Sequence, residues 1–155
     1  MSLQDSYKMV ISAEIHAQKL YEALGRRFGK PETKAVFTEL MMLEKTHETK
    51  VREIYTKLFP QEELKLQTVE AIELQGLDLS DPNAVLEFAI RREELAENNY
   101  RKIAEQTYNP EIRQMLLQYA NEEENHKTVL LTEIQRLQGA MEWFDASELS
   151  GLMEY

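Results

Sequence analysis

Four long stretches of the chain place apolar residues at alternating steps of three and four, the period of a helix with one buried face. In the first the inward positions read Tyr7, Val10, Glu14, Ala17, Tyr21, Leu24, Phe28, and in the second Phe37, Leu40, Glu44, His47, Val51, Ile54, Leu58. The third gives Leu86, Ile90, Glu93, Ala96, Tyr100, Ile103, and the fourth Leu116, Tyr119, Glu123, His126, Leu130, Leu137. Each seam is apolar except near its middle, where a carboxylate or an imidazole takes a place the pattern reserves for a core side chain. A polar layer inside the core is the consequence.

Five glycines and four prolines punctuate the chain, and they mark helix ends. The spacing predicts helices over Asp5–Arg27, closed by Gly29; Pro31–Leu58; Pro82–Gln106, with Asp81 as its cap; and Pro110–Leu137 after Asn109. Pro31-Glu32 and Pro110-Glu111 suit a first turn, since the missing proline donor is harmless there and the acid faces the positive helix end. Between the pairs lie residues 60–79, too long for a tight antiparallel turn. A connection of that length fits a ferritin-like crossover along the bundle, with a short helix of its own near Glu62–Glu73. The fold class expected is all-α, a four-helix bundle over residues 1–139 made of helix pairs 5–58 and 81–137. Residues 140–155, with Trp143 and Phe144, then form a tail that covers a bundle end or sister subunit, or docks a partner.

The chain has 155 residues and no cysteine, which excludes a disulfide framework or a cysteine-ligated metal site on it. With 18 basic against 28 acidic residues, the net charge of -10 disfavours nucleic acid and anionic membrane as partners. No stretch approaches a membrane span and the N-terminal segment lacks a signal-peptide pattern, so a cytoplasmic protein is expected.

The chemistry lies in a repeat. Glu44-x-x-His47 returns 79 residues later as Glu123-x-x-His126, and the same offset carries Glu14 onto Glu93, Ala17 onto Ala96 and Tyr21 onto Tyr100. With Ile11/Ile90, Pro31/Pro110, Glu32/Glu111, Thr49/Thr128 and Leu58/Leu137, there are ten identities over residues 11–58. They fall mainly at inward positions and helix openings, as two copies of one helix pair require. A Glu and a His three apart project from one helix face and can share a metal or bind adjacent ones. His16, the third histidine, has Ala13 at that spacing and is an internal control. Four carboxylates and two imidazoles meeting in a core would be very costly without compensating charge, and two divalent ions would supply it.

In these residues the chain resembles the ferritin-like di-iron carboxylate proteins, and within them the rubrerythrin and erythrin group. The resemblance spans about residues 5–137 and rests on Glu14 with Tyr21, Glu44 with His47, Glu93 with Tyr100, and Glu123 with His126. It implies two iron ions bridged by Glu44 and Glu123, one further held by Glu14 and His47, the other by Glu93 and His126. Manganese or zinc would suit the same donors. Tyr21 and Tyr100 would hydrogen-bond the ligands. The implied activity is a non-haem peroxidase or oxidase that reduces hydrogen peroxide or dioxygen with electrons from ferrous iron.

Two features depart from the group. Rubrerythrins proper carry a rubredoxin domain, which a chain without cysteine cannot form, so electrons would come from a separate donor protein or reductant. They also insert a residue in the third helix that brings in an extra glutamate, whereas here Glu93 and Tyr100 are seven apart, as are Glu14 and Tyr21. Glu97, one turn beyond Glu93, is expected to be peripheral. Two other readings stay open: iron handling of the bacterioferritin type, whose symmetric six-ligand site this one matches, and a metal-free interaction bundle. The expected assembly is a homodimer, and the matching halves are compatible with one that swaps helix pairs through the crossover.

Overall fold

The computed structural model describes residues 2–27, 30–66 and 81–149, with side chains described among them except at 82, 86 and 138–149. It has four helices: α1 (Leu3–Arg27), α2 (Pro31–Leu58), α3 (Pro82–Gln106) and α4 (Pro110–Leu149). No strand occurs among the described residues. No helix among them is long and apolar enough to cross a membrane. α1 packs most closely on α2 and α3 on α4, so the two sequence halves are two helical hairpins. Contact between the hairpins runs chiefly through α1 and α3, and α2 touches α4 sparsely.

The directions of the helices can be read from the core. One apolar cluster takes Tyr7, Val10 and Ile11 from α1, Val51, Ile54 and Tyr55 from α2, Tyr100, Ile103 and Ala104 from α3, and Ile112, Leu116 and Tyr119 from α4. A second takes Ala17–Leu24 positions of α1, Phe37 and Leu40 of α2, Val85 and Ala89 of α3, and Leu130 and Ile134 of α4. Passing from the first cluster to the second, numbering rises along α1 and α4 and falls along α2 and α3. That is an up–down pair followed by a down–up pair, so α2 and α3 are parallel and the two ends of their connection lie at opposite ends of the bundle, as in ferritin-like folds. The seam residues of the sequence pattern are buried throughout the described helices, and Leu58, Ile90 and Leu137 are half-buried at the margins.

Local chemistry explains the boundaries. Asp81 accepts a hydrogen bond from the backbone N–H of Asn83 at 3.0 Å, capping α3. Asn109 does the same for α4, accepting from the N–H groups of Glu111 at 2.9 Å and Ile112 at 3.1 Å. The end of α3 is tied down by Arg113, which donates to the carbonyls of Thr107 and Ala104, and by Tyr7, whose hydroxyl lies 2.7 Å from Thr107 Oγ1. Asn109→Ala is expected to lower stability by about 1 kcal/mol, because two helix-opening donors lose their acceptor. Urea unfolding followed by circular dichroism measures it, and an unchanged midpoint would contradict the cap.

The fourth helix corrects the expected stop near Leu137, for it continues to Leu149. Gly139 was a poor stop signal: a single helical glycine costs only about 1 kcal/mol, and Ala140, Met141, Glu142, Glu148 and Leu149 around it are good helix formers. Thus the first ten residues assigned to the tail extend α4. α1 also begins two residues earlier than expected, at Leu3. In the connection, residues 62–66 are not helical, so the short helix expected from Glu62 does not begin there. Leu64 and Leu66 pack against the first apolar cluster. Phe28, Gly29, the remainder of the crossover and residues 150–155 lie outside the described residues, as do the side chains of Leu86, Trp143 and Phe144.

Candidate metal centre

Between the two apolar clusters, each helix turns its ionisable residue toward the axis. Glu14, Glu44 and Glu123 are fully buried, and Glu93, His47 and His126 nearly so. The six residues form two overlapping groups whose ligand atoms lie within 4.8 Å of one another. One group is Glu14, Glu44, His47 and Glu123; the other is Glu44, Glu93, Glu123 and His126. Glu44 and Glu123 belong to both. Each hairpin therefore contributes three members of one group and lends one glutamate to the other.

Both imidazoles aim Nδ1 inward. His47 Nδ1 lies 2.7 Å from Glu123, 3.5 Å from Glu14 and 3.6 Å from Glu44. His126 Nδ1 lies 3.0 Å from Glu44 and 3.6 Å from Glu93 and from Glu123. The rings stack at 6.0 Å between centroids. Tyr21 donates its hydroxyl to Glu93 across the bundle. Tyr100, its repeat partner, is buried with its hydroxyl unpartnered among the described residues.

Electrostatics follow from crowding. Burial pushes the Glu14 carboxyl well above its ordinary range, and the charges of Glu44, Glu123 and Glu93 add to the shift. Burial likewise raises Glu44, reinforced by Glu123 and only partly offset by His126, to about 7. Glu93 is raised by burial and by its contact with Glu123. Glu123 goes the other way: burial opposes its ionisation, but the close approach of the Glu93 carboxyl and of the His126 and His47 rings outweighs that cost and lowers it. Burial alone would keep His126 neutral, yet the close carboxylates of Glu123, Glu44 and Glu93 carry it up to about 12. The Tyr100 hydroxyl is raised well above its usual range by burial, then by the charges of Glu14, Glu123 and Glu44.

The protein groups do not satisfy this layer by themselves. Both oxygens of Glu14 and of Glu44, one each of Glu93 and Glu123, the Tyr100 hydroxyl and Nδ1 of His126 are buried without a hydrogen bond. Native interiors rarely leave more than a few such groups, and here most of them converge on one point. The donor set of carboxylate oxygens and imidazole nitrogens fits first-row divalent metals, and the inward aim of the unpaired atoms fits ions between them.

Glu97 does not join the groups. It is paired with Arg101 and with Lys127 at 3.0 Å, near the surface. Glu97→Gln is expected to leave the metal content of the purified protein unchanged, whereas a loss measured by elemental analysis would make Glu97 a ligand. His16, without a partner glutamate at helical spacing, is absent from both groups. Two neighbours of the centre escaped the sequence reading. Tyr119, assigned only to the seam, lies 4.9 Å ring to ring from His47, and Glu122 reaches His47 Nε2 at 3.4 Å. The signal that could have found them is a break in the repeat, since Tyr119 and Glu122 stand where the first half has Leu40 and Leu43.

A bundle of two helical hairpins, with carboxylates and imidazoles from all four helices gathered in one buried layer, defines the ferritin-like class. The family model for rubrerythrin matches residues 7–76 and 84–151, each stretch spanning most of one helix pair. The chain belongs to the rubrerythrin family. Among solved structures it is similar to a hypothetical protein from Pyrococcus furiosus, with 25% identity, 90% of this chain and 92% of that one covered, and a TM-score of 0.79. An uncharacterized conserved protein from Magnetospirillum magnetotacticum shares the fold at 19% identity, with 88% and 95% covered and a TM-score of 0.63. No curated protein matches the chain.

Proposed function

We propose that the buried layer holds two iron ions and that the protein reduces hydrogen peroxide, drawing the electrons from the ferrous pair. The observation that carries this reading is the set of two overlapping four-residue groups with Glu44 and Glu123 in common. Four carboxylates balance two divalent ions, so the reduced centre brings no net charge into the core. Manganese or zinc would satisfy the same donors. When bound, two ferrous ions supply two electrons, the number that with two protons takes one hydrogen peroxide to two waters.

The chain's own residues set the conditions for that chemistry. Glu44 and Glu123 would bridge, Glu14 with His47 and Glu93 with His126 would complete the two halves, and Tyr21 fixes Glu93 through its hydroxyl. Tyr100, kept protonated by its surroundings, offers a proton donor beside Glu14. The apolar clusters above and below keep bulk water from the layer. A separate reductant would return the electrons, and a homodimer remains the expected assembly.

Elemental analysis of the purified protein, followed by anaerobic reduction and mixing with peroxide or with air, tests the reading. Two irons per chain and faster oxidation by peroxide support it, and much faster oxidation by air overturns the peroxidase assignment. That second outcome would favour iron handling of the bacterioferritin type. The symmetric six-residue arrangement, with Glu97 engaged elsewhere, speaks for that alternative. Size-exclusion chromatography separates the two, since storage needs a large closed shell. A protein that binds no metal and melts identically with and without chelator would be a metal-free interaction bundle.

A further inference from the structure

The repeat makes the two halves of the centre nearly interchangeable, yet their outer surroundings differ. His47 packs against Tyr119 and Tyr100 and reaches Glu122 Oε2 with its outer nitrogen at 3.4 Å. For His126 the positions equivalent to Tyr119 and Glu122 are Leu40 and Leu43. Among the described residues, no carboxylate reaches the outer nitrogen of His126, whose three carboxylate neighbours all lie on the Nδ1 side.

We infer that Glu122 makes the two metal positions inequivalent: by accepting the outer N–H of His47 it renders the Glu14–His47 half the tighter-binding and the more easily oxidised. The inference rests on the two-metal reading above. Nδ1 of His47 is the nitrogen aimed at the carboxylates, so a metal there leaves the ring proton on Nε2. That proton points at Glu122. A carboxylate accepting it fixes the ring's tautomer and angle and increases electron donation from Nδ1, and loss of such a partner typically weakens metal binding by about 10- to 100-fold. Its negative charge also favours the more positive, oxidised metal over the reduced one. Leu43 offers neither effect to His126. Glu122 is thus a positioning residue that acts through His47.

The test uses zinc(II), which has no redox chemistry, titrated calorimetrically into the metal-free protein. His126→Ala leaves the Glu14–His47 half with its full donor set, and His47→Ala leaves the other. Adding Glu122→Leu to His126→Ala is expected to weaken zinc binding by about 10- to 100-fold and, added to His47→Ala, to leave it unchanged. General damage to the bundle would weaken both. In the otherwise unaltered protein loaded with iron, Glu122→Leu should raise the reduction potential of one iron and not the other, and Leu43→Glu should lower that of the second. Both positions are 39% exposed, so neither change disturbs the core. Equal loss in both backgrounds, or no loss in the His126→Ala background, overturns the inference while leaving the two-metal reading intact. Failure of the unaltered protein to take up any zinc or iron overturns both.

Discussion

Glu44→Gln is expected to abolish retention of both metals and, at the same time, to stabilise the metal-free protein. Glu44 belongs to both ligand groups, so one substitution removes a donor from each position, whereas Glu14→Gln removes a donor from one. After desalting, metal per chain should fall from two to near zero in the first variant and to about one in the second, on the basis of shared and unshared donors. The gain in stability has a separate cause. Holding Glu44 at about 7, against an ordinary carboxyl near 4.5, means that its ionisation at pH 8 works against the fold. The penalty is on the order of 3 kcal/mol at about 1.4 kcal/mol per unit. An amide of the same shape carries no charge and escapes it. Thermal melts of the metal-free proteins at pH 8 measure the effect, and a lower midpoint for Glu44→Gln than for the parent would show that the carboxylate is not a liability without metal.

The second large effect is the pH dependence of the metal-free fold. Glu14, Glu44 and Glu93 are raised, so the protonated form is the one the fold prefers. Their contribution is fully present below the ordinary carboxyl value of 4.5 and is lost as pH rises, for Glu44 by about pH 7. His126 is raised to about 12, so its contribution is present below its ordinary 6.5 and declines steadily above it. His47 is raised as well, and acts in the same direction. Within the layer only Glu123 is lowered, and its contribution is lost below 4.5. Above about pH 5 the remaining shifts of the buried layer share one sign and outnumber the opposing one of His16, which burial lowers, so the metal-free protein should lose stability toward pH 8. A drop of roughly 4 to 8 °C in melting midpoint between pH 5.5 and 8 follows from the Glu44 contribution alone, of which about 2 kcal/mol falls in that window, at roughly 2 to 4 °C per kcal/mol for a chain of this size. The metal-loaded protein should behave oppositely, because metal competes with protons for the same atoms and binds more tightly as pH rises. A metal-free protein that melted higher at pH 8 than at pH 5.5 would contradict the placement of these carboxyls.

The bundle and the six buried residues were legible because periodicity reports which face is inward, and a charge in an apolar seam cannot be explained by solvation. The cap at Asp81 was legible for a local reason, since a short acceptor before a proline and a helical pattern has one use. What escaped depends on long-range packing. Glu48 is buried through bonds from Gln18 on α1 and from Arg52, and no seam position announces it. Glu122 looked like solvated surface because its contact lies across the bundle on α2. The end of α4 escaped because the only stop signal, Gly139, is weak against the helix formers that follow.

Sparse contact between α2 and α4 bears on how the molecule comes together. Two hairpins rich in local contacts can each form quickly, since short loops cost little closure entropy. The glutamate that each hairpin lends to the other's group is in place only after the hairpins meet, late on the folding route. Contacts absent from the transition state slow unfolding without speeding folding. Bound metal should therefore act as a latch on an already assembled bundle: stripping it would hasten unfolding and leave the refolding rate nearly untouched.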